Sequence, residues 1–132
     1  MSTYNKLKEL QGFIKKSTGL DCRLGRVAPA SRELPLFIIA PIVDDEVDES
    51  PRDEFFKSVD FNVQIQLIAR DDETALGKAL NGYDLFMKDI NSFNYGQGNA
   101  LSDSVTKEYN DEGEFIITWT YALKITLQKT GA

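Results

Sequence analysis

The residues best suited to chemistry crowd into one stretch. Asp44, Asp45, Glu46, Asp48, Glu49, Asp53 and Glu54 all fall within residues 44–54, with Arg52 the one base among them. Clustered carboxylates suit a calcium site or paired acid–base work. A calcium loop needs its glycine and a regular ligand spacing, and both are missing here. Glycosidase-type catalysis needs one carboxyl held in an apolar pocket to raise its pKa. The one isolated carboxylate in an apolar stretch is Asp60, between Val59 and Phe61, and strand alternation places it on the polar face. The chain has no histidine, which removes the commonest general base and metal ligand. Cys22 is the sole cysteine, so no intrachain disulfide can form. With no histidine to activate it, it reads as a small buried apolar residue in a reducing compartment. Gly96-Gln97-Gly98 is a poor phosphate loop: it precedes a strand, and it lacks a third glycine and a lysine–serine pair. The expectation is a protein that is not an enzyme and has neither cofactor nor metal. An enzyme working through carboxylates alone remains an alternative.

Charge is segregated along the chain. The net charge is −6, yet residues 1–43 carry seven bases and three acids, and residues 55–132 carry seven bases and eleven acids. A chain that bound nucleic acid by charge would present a net basic surface, and this one does not. The segregation has two readings: ordinary solvated surface, or a basic side of one subunit meeting the acidic side of a neighbour. On the second reading the candidate interface comprises Lys15, Lys16, Arg23 and Arg26 against Asp44, Asp45, Glu46, Asp48 and Glu49. No run of about 18 apolar residues exists to span a membrane, and the first residues lack the apolar stretch of a signal peptide.

The elements that must position these residues follow from periodicity. Ser2 or Thr3 caps a helix over 4–17, with Tyr4, Leu7, Leu10 and Ile14 on its apolar face, Phe13 beside them, and Gly19 as its left-handed terminator. A short strand over 20–27, a proline-bearing turn over 28–35 and an apolar strand over 36–43 follow. The last of these is expected to be buried on both faces or covered by a neighbour, with Pro41 at an edge or bulge. Residues 44–54 are too charged to bury themselves and read as a mobile loop. Residues 55–70 alternate, with Phe61, Val63, Ile65, Leu67 and Ala69 inward and Ile68 the exception. Asp71 is expected to cap a helix reaching about residue 91, with Leu76, Leu80, Tyr83, Met87 and Ile90 as its stripe. Residues 92–100 read as a loop. A strand over 101–109 and the turn Asn110-Asp111-Glu112-Gly113 lead into the longest run, 114–128. There Phe115, Ile117, Trp119, Tyr121, Leu123, Ile125 and Leu127 take every second position, and at ~3.3 Å per residue the strand spans about 45 Å. The whole, residues 1–132, is one α+β domain. It has an antiparallel or mixed β-sheet, two helices on one face, long strands and a closing C-terminal hairpin. The apolar face of the last strand exceeds what one helix stripe covers, so one end of it is expected to be a contact surface.

This layout resembles the tail terminator (tail completion) proteins of long-tailed bacteriophages, the family of phage lambda's tail terminator. The likeness is carried by Phe61 to Leu76, Phe-Asn-Val-Gln-Ile-Gln-Leu-Ile-Ala-Arg-Asp-Asp-Glu-Thr-Ala-Leu, a strand running into an acid-capped helix. It is carried also by Trp119 to Gln128, Trp-Thr-Tyr-Ala-Leu-Lys-Ile-Thr-Leu-Gln. The family has no short diagnostic motif and no catalytic residues to carry over. The resemblance implies a homohexameric ring in the virion neck, made in the host cytoplasm. That ring ends polymerisation of the tail tube, offers the head connector protein a joining surface and lets DNA pass through its lumen without specific binding. Other readings remain open: another neck or tail-tube component, or a small-molecule-binding regulatory domain.

Overall fold

The computed structural model describes residues 3–25, 33–42, 56–94 and 101–128. The elements run α1 (Thr3–Thr18), β1 (Asp21–Leu24), β2 (Leu36–Pro41), β3 (Phe56–Ala69), α2 (Glu73–Asp89), a 3-10 helix (Ile90–Asn94), β4 (Leu101–Tyr109) and β5 (Phe115–Gln128). The strands form one five-stranded sheet in the order β1-β2-β3-β5-β4. β1 and β2 are parallel, and the other three pairings are antiparallel. The expected α+β class thus takes its mixed form, with helices packed against the sheet. The expected turn over 28–35 and the acidic loop 44–54 lie largely or wholly outside the described residues.

Alternation builds the core. Val63, Ile65, Leu67 and Ala69 of β3 and Ile117, Trp119, Tyr121 and Leu123 of β5 are all buried, facing Leu10 and Ile14 of α1 and Ala79 and Phe86 of α2. Trp119 is the centre of this layer. Its ring centroid lies 4.7 Å from Phe86, 5.7 Å from Tyr83 and 6.3 Å from Phe37, within the range where aromatic pairs add to area burial. β2 is buried on both sides, as its unbroken apolar run requires. Phe37 and Ile39 join the main core, while Leu36 and Ile38 form a second cluster with Ile68 and Ile116 on the opposite face. The out-of-phase Ile68 therefore has a home. Pro41 closes β2 where β1 has already stopped, since the last β1–β2 pair is Leu24↔Ile39. Ile42 donates its N–H to the Asn62 carbonyl of β3. The nitrogen of Pro41 therefore faces the vacated side, where no ladder bond is lost.

Three local expectations are corrected. The N-cap of α2 is Asp72, not Asp71: its Oδ1 accepts from the Ala75 N–H at 2.8 Å. The deeply buried stripe of α2 is Ala75, Ala79, Gly82 and Phe86. Of the expected stripe, Ile90 is fully buried just past the end of α2, but Leu76, Tyr83 and Met87 are only partly buried, and Leu80 is 46% exposed. Small residues let the helix backbone approach α1 and the sheet, which turns the larger apolar side chains to the flanks. Tyr4, expected on the apolar face of α1, is 63% exposed. It stands in the first turn, beyond the part of α1 that carries buried Leu10 and Ile14. The expected terminator is in place: Gly19 has φ 73° and donates to the Lys15 carbonyl at 2.9 Å.

Candidate interaction surface

Two features of the molecule face outward with chemistry to offer: the basic end of α1 with β1, and the far end of the β3–β5 ladder. At the first, α1 brings Lys15 and Lys16 to its C-terminal turn, where cations complement the helix dipole. β1 adds Arg23 beside them. Lys15 lies 3.6 Å from Asp21, and Arg23 lies 3.5 Å from Asp21 and 2.7 Å from Glu33. The hydrogen bond to Glu33, reinforced by its charge, holds the Arg23 guanidinium above its ordinary pKa. Much of the positive charge expected to face a neighbour is thus met by carboxylates of the same chain. Such solvent-screened pairs contribute little to stability. Lys16 is exposed beside them. Arg26, Asp44, Asp45, Glu46, Asp48 and Glu49 lie outside the described residues, so the structure does not bring the basic and acidic candidates together.

The second feature follows from the unequal lengths of the strands. β3 and β5 pair through their full fourteen residues, from Phe56↔Gln128 to Ala69↔Phe115. Among the described residues, the pairings of their outer neighbours cover only part of this length. β2 ends at Pro41↔Val63, and the pairing of β4 begins at Leu101↔Tyr121. From Phe61↔Leu123 outward to Phe56↔Gln128 the ladder is two strands wide, and among the described residues no strand pairs with either of its edges. Six residues at ~3.3 Å each make a ribbon about 20 Å long. Isolated two-stranded ribbons are marginal in water, and open edges are templates for further pairing. Alternation alone reveals the overlong final strand. It does not reveal that β3 outruns the sheet in register with it, because that depends on where β2 and β4 end.

The sheet face away from the helices is polar but mostly uncharged at its centre. Asn62, Gln64 and Gln66 of β3 lie opposite Ala122, Thr120 and Thr118 of β5, and Gln66 Nε2 donates to Thr118 Oγ1 at 3.3 Å. Inside the core, Trp119 Nε1 and the Tyr121 hydroxyl are buried with no hydrogen-bond partner among the described residues. Burial pushes the Tyr121 phenol up to about 12. It likewise pushes the Cys22 thiol up to about 12, so this cysteine is an inert core residue, as expected from sequence. Among the described residues no group of three or more acidic, cysteine or histidine side chains could hold a metal ion, and no helix is long and apolar enough to cross a membrane. No protein-family model matches the chain, and no curated protein matches it.

Proposed function

We propose that this chain is a structural, non-enzymatic subunit of a homo-oligomeric ring, of the tail terminator kind, that caps a phage tail tube. The observation that carries this reading is the β3–β5 ribbon, which among the described residues extends beyond the pairings with β2 and β4. A head-to-tail ring requires two different, mutually complementary surfaces on each subunit, and a two-stranded ribbon supplies two different strand edges. The alternation that buries Val63 and Leu123 continues in sequence through Phe61, Val59, Ile125 and Leu127. In this reading the ring sits in the virion neck and joins the tail tube protein on one side and the head connector protein on the other. With a charge of −6 per subunit it repels DNA passing through its lumen, so the DNA does not adhere. Assembly takes place in the host cytoplasm, without a membrane.

Electron microscopy of purified cognate tail tubes mixed with the protein tests the reading. A ring of density at one end of each tube is expected, together with an end to further lengthening when tube subunits are added. Tubes that stay bare and keep growing would overturn it.

A further inference from the structure

Head-to-tail assembly needs two unlike surfaces on opposite sides of a subunit. The two outer strands of the sheet, β1 and β4, carry such a pair. The β1 edge is covered by α1. The Cys22 carbonyl accepts from Gln11 Nε2 at 2.7 Å, and the Cys22 N–H donates to Asp21 Oδ1 at 2.9 Å, so this edge does not take up another strand. Gln11 also marks the side of α1 that flanks β1. Tyr4, Lys8, Gln11 and Lys15 share that side, at successive spacings of four, three and four residues. Tyr4, Lys8 and Lys15 are exposed, and so is Lys16 beside them. Lys15 is met by Asp21, but among the described residues no ion pair meets Lys8 or Lys16.

The β4 edge is acidic. Glu108 and Tyr109 are exposed at the end of the strand, as are Asp111 and Glu112 in the turn that follows. Among the described residues none of these three acids is in an ion pair. The neighbouring base, Lys107, lies over the Tyr83 ring, its Nζ 5.7 Å from the centroid. The turn itself is fixed by Asn110 Oδ1, which accepts from the N–H groups of Glu112 and Glu114.

One row of the sheet joins the two edges. Asp21↔Leu36, Leu36↔Ile68, Ile68↔Ile116 and Ile116↔Glu108 are consecutive register partners, running straight across from the basic end of α1 to the acidic hairpin. Lys15 meets that row at Asp21, 3.6 Å away. A copy displaced along the row therefore sets its hairpin beside the α1 of the next copy.

We infer that the β4–β5 hairpin of one copy (Glu108, Asp111, Glu112) docks against the α1 edge of the next copy (Lys8, Lys15, Lys16), with Tyr109 and Tyr4 as the apolar part of the contact. This inference rests on the ring reading above and names a joint within it. The occupant of each edge is a second copy of this chain, for two reasons. First, the charges are opposite and lie at one level of the sheet, on its two opposite sides. Second, each edge adds one exposed tyrosine, a residue type that interfaces favour. Like edges repel, so hairpin does not meet hairpin and α1 does not meet α1. The contact is therefore head-to-tail and propagates around a ring instead of stopping at a two-fold dimer. It is made by side chains, because Gln11 closes β1 to strand pairing.

Sedimentation velocity of the full chain, alone and with tail tubes, tests the joint, with the near-ultraviolet circular dichroism of Trp119 reporting that each variant is folded. D111K/E112K makes both edges basic, and K8E/K16E makes both acidic. Each is expected to associate roughly tenfold more weakly than the unaltered chain. Mixed in equal amounts, the two variants present opposite charges at every joint, and association returns. Association of the unaltered chain should weaken as salt is raised. Either variant associating at full strength overturns the inference. So does a mixture no stronger than its components, or an unaltered chain that is indifferent to salt or stays monomeric with and without tail tubes. If a reversed variant loses its Trp119 signal, the neutral D111N/E112Q or K8Q/K16Q replaces it and should also weaken association. Undiminished association of the neutral variant overturns the inference as well. Variants that cap tubes as well as the unaltered chain does would discard the joint and keep the function. Bare tubes with the unaltered chain would discard both.

Discussion

Gly82 of α2 packs so closely on Leu20 that a Cβ built on it would lie 2.5 Å from Leu20 Cδ1 and 3.3 Å from its Cγ. Leu20 is partly buried and packs against the core, so its side chain must turn aside for that Cβ and give up part of its packing. Gly77, on the same helix, is exposed, and a Cβ added there would meet nothing within 4 Å. Gly77→Ala is therefore expected to stabilise the fold by ~0.5–1 kcal/mol through helix propensity. Gly82→Ala should lose that gain to displacement of Leu20 and come out destabilising by about 1–2 kcal/mol. Urea midpoints of the two variants decide it, and equal stabilisation by both would show that the contact between Gly82 and Leu20 yields freely in solution.

The cap of α2 gives a second contrast. Asp72 accepts from the Ala75 N–H, and the cap position is its own and not that of Asp71. Asp72→Ala should cost ~0.5–2 kcal/mol. Asp71→Ala should stay within about 0.5 kcal/mol of the parent, as an exposed substitution away from a cap does. Thermal denaturation of both variants under one buffer condition is the measurement.

Both contrasts mark the boundary of what the sequence makes legible. The alternation of Val63, Ile65 and Leu67, and of Ile117, Trp119 and Tyr121, is readable because a two-residue period depends only on neighbours along the chain. The hairpin turn is readable for the same reason. Asn110 Oδ1 accepts from the N–H groups of Glu112 and Glu114, and Gly113 takes φ 78°. The buried face of α2 is not readable, because Ala75, Ala79 and Gly82 serve closeness of backbones, whereas a hydrophobic stripe is weighted toward Leu80. Choosing between Asp71 and Asp72 turns on where the helix starts, to within one residue. At the candidate interface, composition finds the basic residues but not the carboxylates that meet Lys15 and Arg23. The ribbon depends on the relative ends of four strands, which no single segment encodes.

The buried polar atoms of the β5 core give a third prediction. The Tyr121 hydroxyl is buried without a partner among the described residues, so removing it lifts a desolvation cost of about 1–3 kcal/mol. Tyr121→Phe should leave stability unchanged or raise it. Trp119→Ala, by contrast, empties the centre of the aromatic layer and should cost ~3–5 kcal/mol. A Tyr121→Phe variant that loses more than about 1 kcal/mol in urea unfolding would mean that the hydroxyl is bonded in solution.

Alkaline pH should weaken the fold in a defined window. Cys22 titrates near 9.0 when exposed and is held up to about 12 by burial. Tyr121 moves from 10.0 to about 12 for the same reason. Both raised values mean that the folded chain keeps protons the unfolded chain has released. Their contribution is fully present below about pH 9 and is lost as pH rises from about 9 toward about 12, at no more than ~1.4 kcal/mol per pH unit for each group. Cys22→Ala should flatten the fall in urea midpoint between about pH 9 and about pH 11. In the native parent, the thiol should resist alkylation until the chain is unfolded.

The β3–β5 ladder also dictates the order in which the molecule can be built. Even its closest partners in sequence, Ala69 and Phe115, are separated by all of α2 and β4. As the chain leaves the ribosome, β3 has only β2 beside it, and its other flank stays bare until β5 arrives. The aromatic layer arrives just as late, because Trp119 belongs to β5. Closing so large a loop before any reward is slow. The nascent chain therefore spends its synthesis as helices and a half-sheet, and its folding is completed in a single late event when the final strand slides into the centre.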